Sequence, residues 1–237
     1  MSDSILGRCA SLLASVLVCF HVGCGSTVVV PLRVSVASPI DLGTYPTFAV
    51  VPIVDQDGRL DSEELYALSD MVRQELEHVP GVTMIAESET HDALGSDPIT
   101  PENIDDPDKI SEWGGLLGAS AVVTGRIRYY VFNDIQTRPV EWWDQRQERY
   151  VSQVQTYLVR TQRLTMRLRV YDARTGKKLV GKVLHGRSSQ PQSLAGVVLQ
   201  EIAGSSNAAV RLATEPVREF VRLIAPHFEY EERYLVR

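Results

Sequence analysis

From residue 47 onward the apolar positions fall into short blocks whose spacing switches between that of a helix and that of a strand. Phe48 to Val54 is an almost unbroken apolar run, the pattern of a central strand covered on both faces. Asp55-Gln56-Asp57-Gly58 turns the chain. Beyond it Leu65, Leu68, Val72, Leu76 and Val79 recur at helical spacing, with Asp61 and Glu64 placed for a capping box and Pro80-Gly81 as the stop. Val82 to Ala86 predicts a second short strand. Glu87 to Asp108 holds prolines and acids without a clear period and reads as a surface excursion. It closes in a helix from about Asp108 through Ile110, Trp113, Leu116 and Leu117 to Gly118, and the strand Ala119 to Thr124 follows.

The second half alternates instead. Leu164, Met166, Leu168 and Val170 fall on one face of a strand and Arg163, Thr165, Arg167 and Arg169 on the other, so one face is buried and one solvated. Asp172 to Gly176 forms a turn, Lys178 to His185 returns as the hairpin partner, and Gly125 to Phe132 extends the preceding strand into the same sheet. Helical patterns follow at about Ser193 to Ala203 and Asn207 to Ile224. The latter presents Val210, Ala213, Val217, Val221 and Ile224 to the core, and Pro216 predicts a break or kink near Thr214. Upstream, Thr27 to Val34 reads as extended, and the charged end Tyr230 to Arg237 as strand-like. The fold class is α/β (α+β mixed): strand-helix-strand-helix-strand, then an antiparallel hairpin and C-terminal helices, built on a mixed sheet flanked by helices.

The first two dozen residues do not fit a core. A short start with Arg8, an apolar run from Ala10 to Phe20 and then Val22-Gly23-Cys24-Gly25-Ser26 have the layout of a secretory signal. The run is about a dozen residues, short of the roughly 20 that span the bilayer hydrocarbon. Val22-Gly23-Cys24 resembles the lipobox of lipoprotein signal peptidase, which makes Cys24 the acylated mature terminus, with palmitate among its chains. The alternatives are an unprocessed terminus or an ordinary secretory signal cut nearby, either of which leaves Cys24 as an exposed thiol. The division expected is a signal peptide at 1–23, a lipidated tether and strand at 24–46, and one α/β domain at 47–237.

Composition adds two constraints. The three cysteines are Cys9, Cys19 and Cys24, so the mature domain has no disulfide framework and stands on its core. With 30 acidic against 24 basic residues the net charge is -6, which argues against a general phosphate-binding surface and against nucleic acid as a partner.

Four segments together resemble bacterial envelope lipoproteins with a domain like that of the curli-secretion lipoprotein, shared in outline with penicillin-binding-protein activator lipoproteins and the amino-terminal domain of the Tol-system periplasmic protein. They are the lipobox at Cys24, Phe48-Ala-Val-Val-Pro-Ile-Val54, Leu116-Leu-Gly-Ala-Ser-Ala-Val-Val-Thr-Gly-Arg-Ile127 and Leu168-Arg-Val-Tyr-Asp-Ala-Arg-Thr-Gly-Lys177. The resemblance implies an envelope protein that assembles with itself or with envelope partners, and no reaction. Its pore-forming member uses long amphipathic membrane hairpins. Here Tyr129 to Thr161 is interrupted by Asn133, Asp134, Pro139, Glu141 and Asp144, a poor fit to lipid-facing strands, and no pore is expected.

The candidate chemistry is sparse. Asp55, Asp57, Asp61 and Glu64 fit part of a calcium loop, but Ile53 stands at the first ligand position and a strand precedes it, so a turn before a capped helix is the expectation. His78, His91, His185 and His227 lack zinc-ligand spacing, and neither Gly-x-Ser-x-Gly nor a phosphate-cradling glycine loop is present. No catalytic residue, metal or cofactor is expected. Arg163, Arg167 and Arg169 are candidates for contact with an anionic surface, or else a solvated face paired with acids of neighbouring strands. Trp142 and Trp143, large aromatics in a polar stretch, are candidates for partner contact or for capping a sheet edge. The function expected is that of a lipid-anchored, non-catalytic interaction module facing the periplasm from the outer membrane. The alternative is an envelope hydrolase, or a binder of a small ligand or metal, whose site has no motif and would show as a pocket with convergent polar groups.

Overall fold

A computed structural model describes residues 27–95, 98–193 and 207–236. It divides into two units, a terminal ribbon and a central α/β body.

The body spans 37–226. Its sheet is mixed, in the order β4-β2-β5-β6-β7, with β2 at Thr47–Val50, β4 at Thr83–Met84, β5 at Ala121–Asp144, β6 at Arg149–Asp172 and β7 at Lys178–Ser193. A two-residue strand β3, Val54–Asp55, also pairs with β5. Strands β2, β4 and the start of β5 run parallel, as helical crossovers require, whereas β5, β6 and β7 form an antiparallel meander. The apolar run at Phe48 is thus a true strand over four residues and then loses regular pairing at Val51 to Ile53, where β3 takes over.

Helix α1, Ser62–Glu77, starts as expected: Asp61 accepts from the Glu64 amide at 2.8 Å and Glu64 reaches back to the Asp61 amide. It lies on the sheet with α4, Ala208–Ile224. Leu68, Val72 and Leu76 of α1 and Ala209, Ala213, Val217 and Phe220 of α4 bury against Phe48, Val123, Ile127, Leu164, Met166, Leu168 and Leu184. The opposite face holds a smaller cluster in which Trp113 and Ile110 of α3, Pro107–Leu117, and Leu94 of α2, Glu87–Leu94, pack on Val51, Val122, Tyr171 and Ala173. Alternate residues of β5 feed the two cores, so the start of that strand is covered on both sides.

Three expectations are corrected. The excursion from Glu87 contains a helix, α2, whose short acidic sequence Glu-Ser-Glu-Thr-His-Asp buries only Thr90 and Leu94 and so leaves almost no periodic trace. Helix α4 runs continuously through Pro216. The ring removes the donor to the Leu212 carbonyl, and that carbonyl lies beside Gly186 of β7, where a Cβ would come within 2.3 Å of it. The polar stretch around Trp142 and Trp143 is regular strand: β5 and β6 pair in unbroken register from Ala121↔Asp172 to Asp144↔Arg149. The helix expected at Ser193 to Ala203 lies outside the described residues except at its first position, which ends β7.

The ribbon is the antiparallel pair of β1, Thr27–Val36, and β8, His227–Val236. Val28, Val29, Leu32, Phe228, Tyr230 and Tyr234 are exposed on it, and the Arg33 guanidinium lies 3.8 Å over the Phe228 ring.

Candidate functional site

The hairpin of β5 and β6 outgrows the rest of the sheet. β2 and β3 accompany β5 only as far as Ile127, and β7 accompanies β6 only from Tyr157 on. At about 3.3 Å per residue, Thr137 to Asp144 with its partner strand makes a two-stranded arm of about 26 Å. Asp144 turns the tip, accepting from the Arg146 amide at 2.8 Å, and Glu148 takes a positive φ of 47°.

Trp142 and Trp143 sit at this tip and do not fold back on the body. Being consecutive in a strand, they point to opposite faces of the arm. Trp142 lies opposite Val151 and is 40% exposed; Trp143 lies opposite Tyr150 and is 50% exposed, with Tyr150 itself at 71%. The Trp143 and Tyr150 rings meet edge to face at 5.2 Å, a geometry that favours aromatic pairs across strands. Further down, Val154 on the arm and Ile135 just below it are each 66% exposed. The arm is a two-stranded element with large apolar groups in water, a construction of marginal stability on its own.

At the root of the arm the arginine face divides. Asp105, in the loop before α3, sits between two guanidiniums, 2.8 Å from Arg126 Nε and 2.7 Å from Arg169 NH1. The Arg126 contact is an ion pair rather than a directed hydrogen bond, since that nitrogen finds no hydrogen-bond acceptor. The Tyr171 hydroxyl donates to the same carboxylate at 2.9 Å, and burial, helped by Asp105, pushes the Tyr171 pKa up. Asp57 approaches Arg128 at 3.8 Å and accepts from Tyr130, whose pKa rises through that hydrogen bond. Arg169 is therefore already occupied, by an acid from a loop rather than from a neighbouring strand. Arg163 stands 5.5 Å from the Phe132 ring, and neither it nor Arg167 has an acidic partner among the described residues.

The acidic turn is engaged internally. Asp55 accepts from the amides of Asp57, Arg59 and Leu60, and Asp61 and Glu64 cap α1. Among the described residues no three His, Cys, Asp or Glu are grouped to hold a metal ion. Cys24 lies outside the described residues.

A cleft of 560 Å³ that no sequence motif announces opens beyond the end of β2, between α1 and α2. It is lined mainly by Val50, Pro52, Ile53 and Leu65, with Tyr66, Glu87 and His91 among its polar groups. The Tyr66 hydroxyl donates to Glu87, which raises its pKa. One of its walls is α2, the helix whose sequence carries almost no period.

No family model matches the chain, and no curated protein does. Similar solved structures include lipoprotein GNA1162 from Neisseria meningitidis, at 12% identity and a TM-score of 0.40 over 73% of this chain and 96% of that one. A PelC dodecamer from Paraburkholderia phytofirmans matches at 14% identity and a TM-score of 0.36, over 85% of this chain and 100% of that one. The LpoB C-terminal domain from Salmonella enterica matches at 12% identity and a TM-score of 0.33, over 63% and 85%. Among the described residues no helix is long and apolar enough to cross a membrane.

Proposed function

We propose that the chain is a lipid-anchored cell-envelope protein, acylated at Cys24, that works as a non-catalytic interaction module facing the periplasm from the outer membrane. The observation that carries the interaction role is the β5–β6 arm, which holds Trp142, Trp143 and Tyr150 in water at its tip. Large aromatics concentrate where interfaces lose water, and a two-stranded arm gains its missing packing when a partner covers it. The layout of signal and lipobox, and the resemblance to envelope lipoproteins that assemble, support the same reading.

The test joins anchoring to contact. Intact mass and detergent partitioning of the wild-type chain should reveal the lipid and those of Cys24→Ala should not, and a photocrosslinker at Trp142 or Trp143 should trap an envelope protein or a second copy. Absence of lipid from the wild type refutes the anchor; a tip that traps nothing refutes the interaction role.

The cleft between α1 and α2 favours a second reading, binding of a small, largely apolar ligand, because apolar walls with a few polar groups suit such a guest. A Tyr66→Ala variant that binds an apolar fluorescent probe as well as wild type would count against it.

A further inference from the structure

On the sheet face away from the main core, β5 presents Arg126, Arg128, Tyr130 and Phe132, β6 presents Arg163, Thr165, Arg167 and Arg169, and β7 presents Val183, His185 and Arg187. The register sets Arg126 directly across from Arg167 and Arg163 directly across from Arg187. Like charges placed opposite each other across strands destabilise a sheet unless an anion lies between them. Beside the first pair Asp105 supplies an anion to Arg126 and to the neighbouring Arg169, leaving Arg167 without one. At the second, Arg163 and Arg187 have no acidic partner among the described residues. This cationic stripe also runs against the character of a chain with a net charge of -6.

We propose that the stripe centred on Arg163, Arg167 and Arg187 docks an acidic segment of a partner protein, with carboxylates seated between arginines as Asp105 is seated between Arg126 and Arg169. This deepens the interaction-module reading and rests on it. The two anions that the face already receives, Asp105 and Asp57, are both carboxylates delivered by loops. Arg163 and Arg167, four residues apart on the same face of β6, stand about 13 Å apart, the spacing of every fourth side chain on an extended peptide. The Phe132 ring lies 5.5 Å from the Arg163 guanidinium, within reach of a cation–π contact that uses none of its donors. Bidentate guanidinium–carboxylate pairing gives such a contact direction as well as charge.

The test uses the full chain carrying Cys24→Ala, titrated with fluorescent polyglutamate and, separately, with vesicles of phosphatidylglycerol and phosphatidylcholine. Polyglutamate should bind, more weakly as salt rises, and Arg163→Gln/Arg187→Gln should lower the affinity about tenfold or more. Arg218→Gln, on α4, should leave it unchanged. Urea midpoints establish that the variants are folded; if the double glutamine variant is not, Arg163→Lys/Arg187→Lys, which keeps charge and loses the planar fork, should still weaken binding. Absence of polyglutamate binding, equal binding by the variants, or arginine-dependent binding to vesicles alone would each overturn the proposal. Such failures leave crosslinking at Trp142 and Trp143 unaffected, so they are distinguishable from failure of the interaction role.

Discussion

Removing the Asp105 carboxylate should destabilise the body out of proportion to the place of that residue in a polar loop. The Asp105→Ala substitution leaves Arg126 and Arg169, diagonal neighbours across β5 and β6, without their shared anion and with side chains only 19% and 25% exposed, and takes the acceptor from the Tyr171 hydroxyl. Breaking a fully buried ion pair by deleting one partner costs about 3–5 kcal/mol. Water still reaches these groups, so a cost of about 1.5–3 kcal/mol is expected. Urea unfolding followed by circular dichroism reads this as a lower midpoint at unchanged slope. Asp108→Ala, three residues on and exposed, serves as the control and should shift stability by less than about 0.5 kcal/mol. Adding Arg126→Gln to Asp105→Ala should recover part of the loss, because it removes one of the two stranded charges. If Asp105→Ala unfolds with the wild-type midpoint, or if the added Arg126→Gln only deepens the loss, Asp105 does not neutralise the stripe. The template for the docking proposal then goes with it.

Two further outcomes follow from close packing and from titration. Gly186→Ala places a methyl 2.3 Å from the Leu212 carbonyl oxygen, so α4 must move off β7, at a cost of about 1–3 kcal/mol by thermal or urea unfolding; wild-type stability would mean that the helix has room there. Burial opposes ionisation of Asp172, but hydrogen bonds from Tyr45 and from the amides of Arg174 and Thr175 outweigh it and hold its pKa below the usual value. A carboxylate so depressed contributes stability above its unfolded pKa, and that contribution fades as pH falls through the folded one. Asp172→Asn should therefore flatten the acid limb of the stability profile below about pH 4, and an unchanged limb would contradict the assignment.

Where an element had a strong period and a stop signal, the sequence announced it. α1 with its Asp61–Glu64 box, α3 ending at Gly118 and the alternating Arg163 to Val170 all lie where their patterns place them. What stayed hidden has a common cause: burial too slight to impose a period. Helix α2 buries only two residues, and the outer part of β5 buries none, so Asn133, Asp134 and Glu141 interrupt the apolar alternation while their backbone pairs fully with β6. The arginines were legible as a row, but not their division into engaged and unengaged members. That depends on Asp105, a carboxylate brought from 19 residues before Thr124 by a loop with no pattern of its own. Trp142 and Trp143 were legible as large aromatics in a polar stretch, but not that the pleat separates them onto two faces.

Because the hairpin keeps a single register from root to tip, its reach is decoupled from its chemistry. Deleting two residues from each strand, at matched positions outside the core, draws the tip in by about 7 Å and returns every remaining side chain to the face it held before. Deleting one residue from one strand reverses that strand's faces beyond the cut. Arm length is thus a dimension on which such a protein can be tuned in whole pleats, by mutation or by design, to partners standing at different distances from the body.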